Sequence, residues 1–198
     1  MKIAKTLLIG LATVSLAACS KGVSRKEFVE EAQKVEKDNY TKAVVSYSYY
    51  IKTTGYKDLG FGEDESVDLK GEIKLSLSGG EFTYDAGQEV PEQLEGLNEN
   101  LNRRVTDAIA ELPAEGSSQA KYYTYHTAPL AISMSAKQSS KDQSGSGTVS
   151  ISAYMEFDNH GLLVKMTSDM TSSMSVKADK TYKVTSTEKT SYTITYQE

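Results

Sequence analysis

The sequence predicts an α+β fold, a curved antiparallel β-sheet forming an incomplete barrel with two amphipathic helices on its concave side. The clearest sign is an alternation from Val67 to Leu77, where apolar side chains take turns with charged or hydroxyl side chains. Such a period of two is typical of a strand with one buried and one wet face. Two other segments repeat apolar residues at steps of three and four, as amphipathic helices do. Helices and strands do not alternate regularly, which argues against a parallel sheet.

The first predicted helix begins at a capping box. Ser24 and Glu27 have the spacing at which a hydroxyl and a carboxylate each bind a backbone amide of the first helical turn. Helical spacing of apolar residues continues to about Lys37. The apolar stripe of this helix consists of Phe28, Ala32 and Val35.

Three strands are predicted next. The first has Ala43, Val45, Tyr47, Tyr49 and Ile51 on one face, and the second is the alternating segment 67–78. Gly79-Gly80 allows the positive φ angles of a two-residue hairpin, so 81–85 should return antiparallel to the second strand. The acidic, glycine-containing stretch 53–66 is predicted to be a loop.

The second predicted helix starts near Pro91 and ends before Pro113 and Gly116. Its apolar positions are Leu94, Leu97, Leu101, Val105, Ala108, Ile109 and Leu112. The rest of the chain is strand-like, with predicted strands at 121–126, 130–136, 148–157, 162–176 and 181–196, a turn at 158–161 and a mobile Gly/Ser-rich connection at 139–147. The last strands reach about 15 residues, against a usual five or six, which favours a strongly curved sheet or β-bulges.

The start of the chain has the anatomy of a secretory signal. Lys2 and Lys5 precede an apolar run too short to span a bilayer, and Leu16-Ala17-Ala18-Cys19 closes it. This tetrapeptide resembles the bacterial lipobox, which implies that Cys19 carries a diacylglyceryl group after residues 1–18 are removed. We therefore expect a signal peptide at 1–18, a lipidated tether at 19–23, a single domain at 24–198, and a location on the extracytoplasmic face of the cell membrane. An ordinary secretory signal with an unpaired thiol is the alternative.

Composition narrows the class of partner. The formal net charge is −5, and loss of residues 1–18, which hold two lysines and no acids, would bring it to −7. An acidic chain without a basic cluster is a poor match for nucleic acid. With one cysteine, the chain cannot form an intramolecular disulfide, so an apolar core must stabilise it.

The layout as a whole resembles the LolA/LolB/LppX-like lipoprotein superfamily. The shared features are the lipobox, an N-terminal amphipathic helix, long antiparallel strands with a helical insertion, and a Tyr/Thr-rich last strand. The resemblance implies an incomplete barrel covered by helices, with a lipid or acyl chain carried in an apolar hollow. Of individual residues, it carries over only Cys19.

An apolar groove is the predicted ligand site. Methionines concentrate along the segment from Leu162 to Val176, and flexible thioethers suit a pocket for variable acyl chains, although they fill irregular cores equally well. The tyrosines of the sheet have the same two interpretations, a cleft lining or cross-strand packing. The candidate groove residues are Ile73, Leu75, Leu77, Leu162, Val164, Met166, Met170, Met174, Tyr192 and Ile194.

Signals for catalysis are weak. His126 and His160 are the two histidines, and neither has the spacing of a metal site. The acidic residues Glu63, Asp64, Glu65 and Asp68 lack the pattern of a calcium loop and fit a solvated loop better. No nucleophile elbow or phosphate-binding loop is present in the sequence. We therefore expect a non-enzymatic protein that needs no cofactor.

Two functions follow from these observations. The first is a membrane-anchored lipoprotein that binds or carries a lipid or another hydrophobic ligand. The second is a cell-surface protein-interaction module whose sheet is fully packed and has no ligand cavity. A cavity of a few hundred Å³ would favour the first over the second.

Overall fold

The computed structural model describes residues 22–36, 39–60, 62–94, 101–177 and 180–198. The predicted signal peptide and Cys19 lie outside these residues, as does the part of the second predicted helix at 95–100. The helices are α1 (Arg25–Ala32) and α2 (Val105–Ala110), with single 3-10 turns at Lys57–Leu59, Glu92–Leu94 and Ala120–Tyr122. The strands are β1 (Lys42–Thr54), β2 (Ser66–Ser78), β3 (Glu81–Tyr84), β4 (Tyr123–Thr127), β5 (Leu130–Lys141), β6 (Gly145–Phe157), β7 (Leu163–Lys177) and β8 (Thr181–Gln197).

The eight strands form one antiparallel sheet in the order β3-β2-β1-β8-β7-β6-β5-β4. Each strand pairs with its sequence neighbour, except that β1 and β8 pair with each other in the middle. The two ends, β3 and β4, do not pair, so the sheet is open and not closed into a barrel. The predicted antiparallel α+β class and the division into three strands and then five are confirmed.

The local signals at the start of the chain act as predicted. The Ser24 hydroxyl accepts from the Glu27 amide at 3.2 Å, and the Glu27 carboxylate accepts from the Ser24 amide at 2.8 Å, which completes the capping box. Gly79 and Gly80 have φ angles of 63° and 91°, as the hairpin between β2 and β3 requires. The predicted length of α1 was wrong, because the helix ends at Ala32 and not near Lys37.

The second predicted helix is interrupted. The chain leaves helical geometry at Asn102, whose side chain binds both backbone groups of Phe82, accepting from the amide at 2.6 Å and donating to the carbonyl at 3.1 Å. Arg104 then forms a β-bridge with Leu162 before α2 begins at Val105. The spacing of apolar residues correctly marks Leu94, Leu101, Val105 and Ala108 as buried, but it could not reveal this tertiary bond.

The connection predicted at 139–147 is mostly strand. Residues up to Lys141 belong to β5 and residues from Gly145 belong to β6. The Asp142 carboxylate makes the turn between them by accepting from the amides of Ser144 at 2.7 Å and Gly145 at 2.9 Å. Small polar residues are weak strand formers, but two flanking strands with good backbone pairing hold them extended.

The two faces of the sheet differ in the types of side chain that they present. One face is hydroxyl-rich and charged, as Lys70, Thr187, Ser173 and Ser150 illustrate. The other, which we call the helix-bearing face, presents the apolar set of every strand. Its buried part shares one core cluster with the helices, to which α1 contributes Phe28 and Ala32 and α2 contributes Val105 and Ala108.

Candidate functional site

The helix-bearing face divides into two halves along the strands. We call the first the covered half. It is closed by α1, α2 and the segments around Leu94 and Leu101, and its side chains are at most 9% exposed. It includes Ala43, Val45, Ile73, Leu75, Phe82, Tyr125, Ile132, Phe157, Leu163, Met166, Tyr192 and Ile194.

Strand length explains why a second half exists. β7 has 15 residues and extends over roughly 50 Å. α1 has eight residues and α2 has six, which correspond to about 12 Å and 9 Å of helix. Such short helices cover only part of strands this long. Toward the far ends of the strands the inward positions are a mixture of apolar residues, such as Ile151 and Met174, and polar or small residues, such as Gln138, Ser172 and Gly147.

We call the remaining part the uncovered half. Among the described residues, its apolar side chains belong neither to the core cluster nor to the half-buried side chains packed against it. Val149 and Met174 are 38% and 39% exposed, and most of the others are half-buried. Its apolar members are Ile51, Val67, Leu69, Ala136, Val149, Ile151, Met170, Met174 and Val176, together with Val184, which pairs with Met174 and is 3% exposed.

Registers align this surface in rows across the strands. One row runs Val67, Ile51, Glu188, Met170, Ile151, Ala136 through six adjacent strands. Directly paired residues in antiparallel strands point to the same side of the sheet, so this row is a continuous strip. It is apolar except for the carboxylate of Glu188 at its centre.

The predicted groove residues fall into three groups. Ile73, Leu75, Leu162, Met166, Tyr192 and Ile194 are buried, and five of the six contact protein side chains in the core cluster. Leu77 is 39% exposed at the β2 end next to the β3 hairpin, and Val164 is half-buried. Met170 and Met174 are the two that lie on the uncovered half.

A β-bulge changes the phase of the predicted Leu162–Val176 face. The register between β6 and β7 shifts at Glu156 and Phe157, so that Leu163 pairs with Phe157 and enters the core. The prediction that Leu162 and Val164 share a face with Met166 was therefore wrong. From Met166 to Val176 the alternation holds.

A pocket of about 110 Å³ lies at the border between the two halves. Met155 and Met166 form part of its lining from the sheet, and Ala108 and Leu112 form part from α2 and the residues after it. The Arg103 guanidinium also lines it, paired with Glu111. Ligand pockets usually measure 300 Å³ or more, so this pocket alone accommodates only part of a lipid-sized ligand.

A second depression, of about 400 Å³, lies near the end of α1, where Val35 and the helix-bearing-face residues Leu130 and Phe157 form part of its lining. The rest of its lining consists of Glu31, Lys34, Thr127, Pro129, Asp158 and Asn159. This lining is mixed, as is that of the first pocket, which includes Arg103, Glu111 and Thr167.

Electrostatics sets Glu188 apart. Burial raises the pKa of its carboxyl, and the nearby carboxylate of Glu65 raises it further. Burial also raises the pKa of Tyr49, on the neighbouring strand, to about 12, with Glu188 and Glu65 adding to the shift. Both shifts describe a place where negative charge is disfavoured.

The groups considered for catalysis or metal binding have structural roles. The His126 ring lies 3.2 Å from the Ser133 hydroxyl, and the His160 ring packs edge-on against Tyr40. Asp64 accepts from the Tyr56 amide at 2.9 Å. Within the described ranges, no group of three or more His, Cys, Asp or Glu side chains is placed to hold a metal ion. The helices in the same part of the chain are too short or too polar to cross a membrane.

Sequence reasoning missed most of the uncovered half. Ile51, Val67, Val149, Ile151 and Glu188 were not among the candidates, although all sit at positions in phase with the apolar alternation of their strands. One signal in the sequence could have indicated this surface: Glu188 is a charged residue at a position that alternation along its strand assigns to the same face as Val184 and Tyr192.

Comparison with known proteins adds no relationship. No protein-family model matches this sequence. No curated protein is similar enough to it to indicate a common family. The function is therefore argued from the geometry of the sheet and from the sequence.

Proposed function

We propose that this protein is an extracytoplasmic lipoprotein, anchored to the membrane through Cys19, which binds or carries a lipid or another hydrophobic ligand without catalysing a reaction. The observation that carries the proposal is the uncovered half of the helix-bearing face. It is a surface several strands wide on which apolar side chains such as Ile151 and Met170 lie among hydroxyl side chains such as Ser172, next to a pocket lined in part by Met155 and Met166. Large exposed apolar patches mark binding sites in soluble domains.

The energy for binding comes from burial. Each methylene that leaves water contributes about 0.8 kcal/mol, so a chain of ten or more carbons supplies substantial affinity without specific polar contacts. Met170 and Met174 suit this role because unbranched thioethers adapt to different shapes. Curvature of the long strands toward the helices, as in the LolA/LolB/LppX-like incomplete barrel, would bring this surface around the ligand.

The anchor proposal depends on the Leu16–Cys19 lipobox. Two acyl chains on one residue give stable membrane attachment where a single chain gives a reversible one. Attachment would hold the apolar surface close to the bilayer from which a lipid ligand comes. Cys19→Ala should therefore release the protein from the membrane, and membrane fractionation with mass measurement of the wild-type N-terminus checks this.

The alternative is a protein-interaction module. One observation favours it: the covered half is filled by protein side chains such as Phe28 and Leu101, so the part closed by helices has no large hollow. In that case a partner protein would bury the uncovered half.

Native mass spectrometry of the Cys19→Ala protein separates the two functions. A lipid carrier should retain a bound hydrophobic molecule, or take one up from vesicles of total membrane lipid. A bare polypeptide that stays bare after exposure to those vesicles would contradict the carrier function. Met170→Asp is the matched variant, since it places a charge on the uncovered half and should abolish uptake, whereas Thr171→Asp, on the opposite face of the same strand, should leave it intact.

A further inference from the structure

Glu188 is the one charged side chain that the eight strands present on the helix-bearing face. The inward positions of every other strand are apolar, aromatic, hydroxyl, amide or glycine. Its direct neighbours across β1 and β7 are Ile51 and Met170. The flanking inward positions carry hydroxyl groups: Ser186 and Thr190 on β8, Thr53 and Tyr49 on β1, and Ser168 and Ser172 on β7. A half-buried charge costs stability unless it has a partner.

The part of the chain that the structure describes supplies no partner to this carboxylate. Glu188 has no hydrogen bond and no ion pair with any described residue. The adjacent Lys189 points to the opposite face, where it pairs with Asp169 at 3.2 Å. The cation of the border pocket, Arg103, is already neutralised by Glu111.

Other groups around Glu188 add negative character. Glu65 precedes β2 and lies opposite Thr53 in the backbone pairing, one row from Glu188. Tyr49 lies on β1, diagonal to Glu188 and on the same face of the sheet. A carboxylate beside a tyrosine ring in an apolar setting is a favourable place for an ammonium group.

We infer that Glu188 binds the ammonium group of an amine-bearing amphiphile whose alkyl chain lies along the apolar row of the uncovered half; this rests on the proposed function. The ligand pairs the charge that the fold leaves unpaired, and the chain covers Met170 and Ile151. Ligands of this class are lipids with a free or quaternary amine. An amphiphile with a purely anionic head group would meet Glu188 and Glu65 with like charge, which disfavours it.

The test compares two probes of equal chain length on the Cys19→Ala protein by isothermal titration calorimetry below their micelle concentrations. Dodecylamine should bind at least about tenfold more tightly than dodecanoate, because its ammonium group forms a charge-assisted hydrogen bond with Glu188, whereas dodecanoate brings a like charge to it. Glu188→Gln should weaken dodecylamine binding about tenfold and leave dodecanoate binding unchanged or stronger. Glu72→Gln, which removes a carboxylate from the opposite face, should alter neither.

The outcomes distinguish the inference from the proposed function. Equal binding of both probes, or equal weakening of both by Glu188→Gln, would overturn the role of Glu188 and leave hydrophobic binding in place. Equal weakening of dodecylamine by Glu72→Gln would show a general attraction to an acidic chain and would also overturn it. Failure of both probes to bind would contradict the proposed function itself. Circular dichroism checks that each variant keeps the fold.

Discussion

The two halves of the helix-bearing face are made from the same long strands, yet one is a closed core and the other is surface. In the covered half Ile132 is 1% exposed, while in the uncovered half Val149, in the strand next to it, is 38% exposed. This difference in exposure comes from what packs on the strands. The helices are too short to reach the far ends of the strands. Alternation therefore specifies which face is apolar, and it does not specify what covers that face.

The largest expected effect is a difference in the free energy of unfolding that an alanine substitution removes in each of the two halves. Ile132→Ala should lower the free energy of unfolding by about 3 kcal/mol, because it leaves a cavity in a packed core. Ile151→Ala, on the adjacent strand and the same face, should lower it by about 1 kcal/mol or less, because its site is already half open. Equilibrium urea unfolding followed by circular dichroism measures both. Equal losses would place Ile151 in a packed core and remove the distinction between the halves.

The next largest change in stability is expected where α2 contacts the turn at Gly161. The Gly161 carbonyl accepts from the Val105 amide at 2.8 Å at the start of α2. A Cβ at Gly161, where φ is 76°, would lie 2.9 Å from the Val35 side chain and 3.2 Å from that of Val105.

Gly161→Ala should therefore destabilise the fold by about 2–3 kcal/mol, combining left-handed strain with overpacking. Gly116→Ala is the control, since its φ is 79° and no heavy atom lies within 4 Å of the added Cβ. It should lose about 1 kcal/mol from strain alone. Thermal unfolding of both variants gives the difference, and equal shifts would mean that α2 does not press on Gly161.

A smaller effect on stability, which depends on pH, is expected for Glu188 on the uncovered half. Burial raises the pKa of Glu188 above its unfolded value, so the folded state holds this proton more tightly than the unfolded state does. The contribution of Glu188 to the free energy of unfolding is therefore largest below its pKa in the unfolded state. This contribution is lost as the pH rises through its pKa in the folded state. The groups that face it are Tyr49, Glu65 and Tyr192.

Glu188→Gln should accordingly raise the melting temperature at pH 7 relative to the wild type, and the gain should vanish near pH 4. Thermal unfolding across this range measures it. A variant less stable than the wild type at pH 7 would mean that the carboxylate has a favourable partner within the protein.

The sequence was most informative where structure is local. The capping box at Ser24, the hairpin at Gly79-Gly80 and the alternation in β2 each depend on neighbouring residues, and each was predicted correctly. The errors came from tertiary contacts. The break at Asn102 depends on a bond to Phe82 twenty residues away, and the bulge opposite Phe157 shifts the phase of β7.

The sequence predicted the apolar character of the candidate surface better than it predicted which residues lie on its uncovered half. An apolar face was expected and is present, but Ile73, Leu75, Tyr192 and Ile194 lie under the cover, where protein side chains fill the space. Met170 and Met174 lie on the uncovered half. The position of the helices along the strands decides between these groups, and periodicity contains no information on it.

The central claim is that the uncovered half, and not the opposite face, contacts a hydrophobic ligand. The protein has no tryptophan, so a single introduced one reports its own surroundings. Val149→Trp places the indole on the uncovered half, and Ser150→Trp places it one residue away on the opposite face. A dibrominated alkyl maltoside, below its micelle concentration, quenches tryptophan on contact. We predict strong quenching for Val149→Trp and little for Ser150→Trp; equal quenching of both, or none at Val149→Trp, would contradict the account.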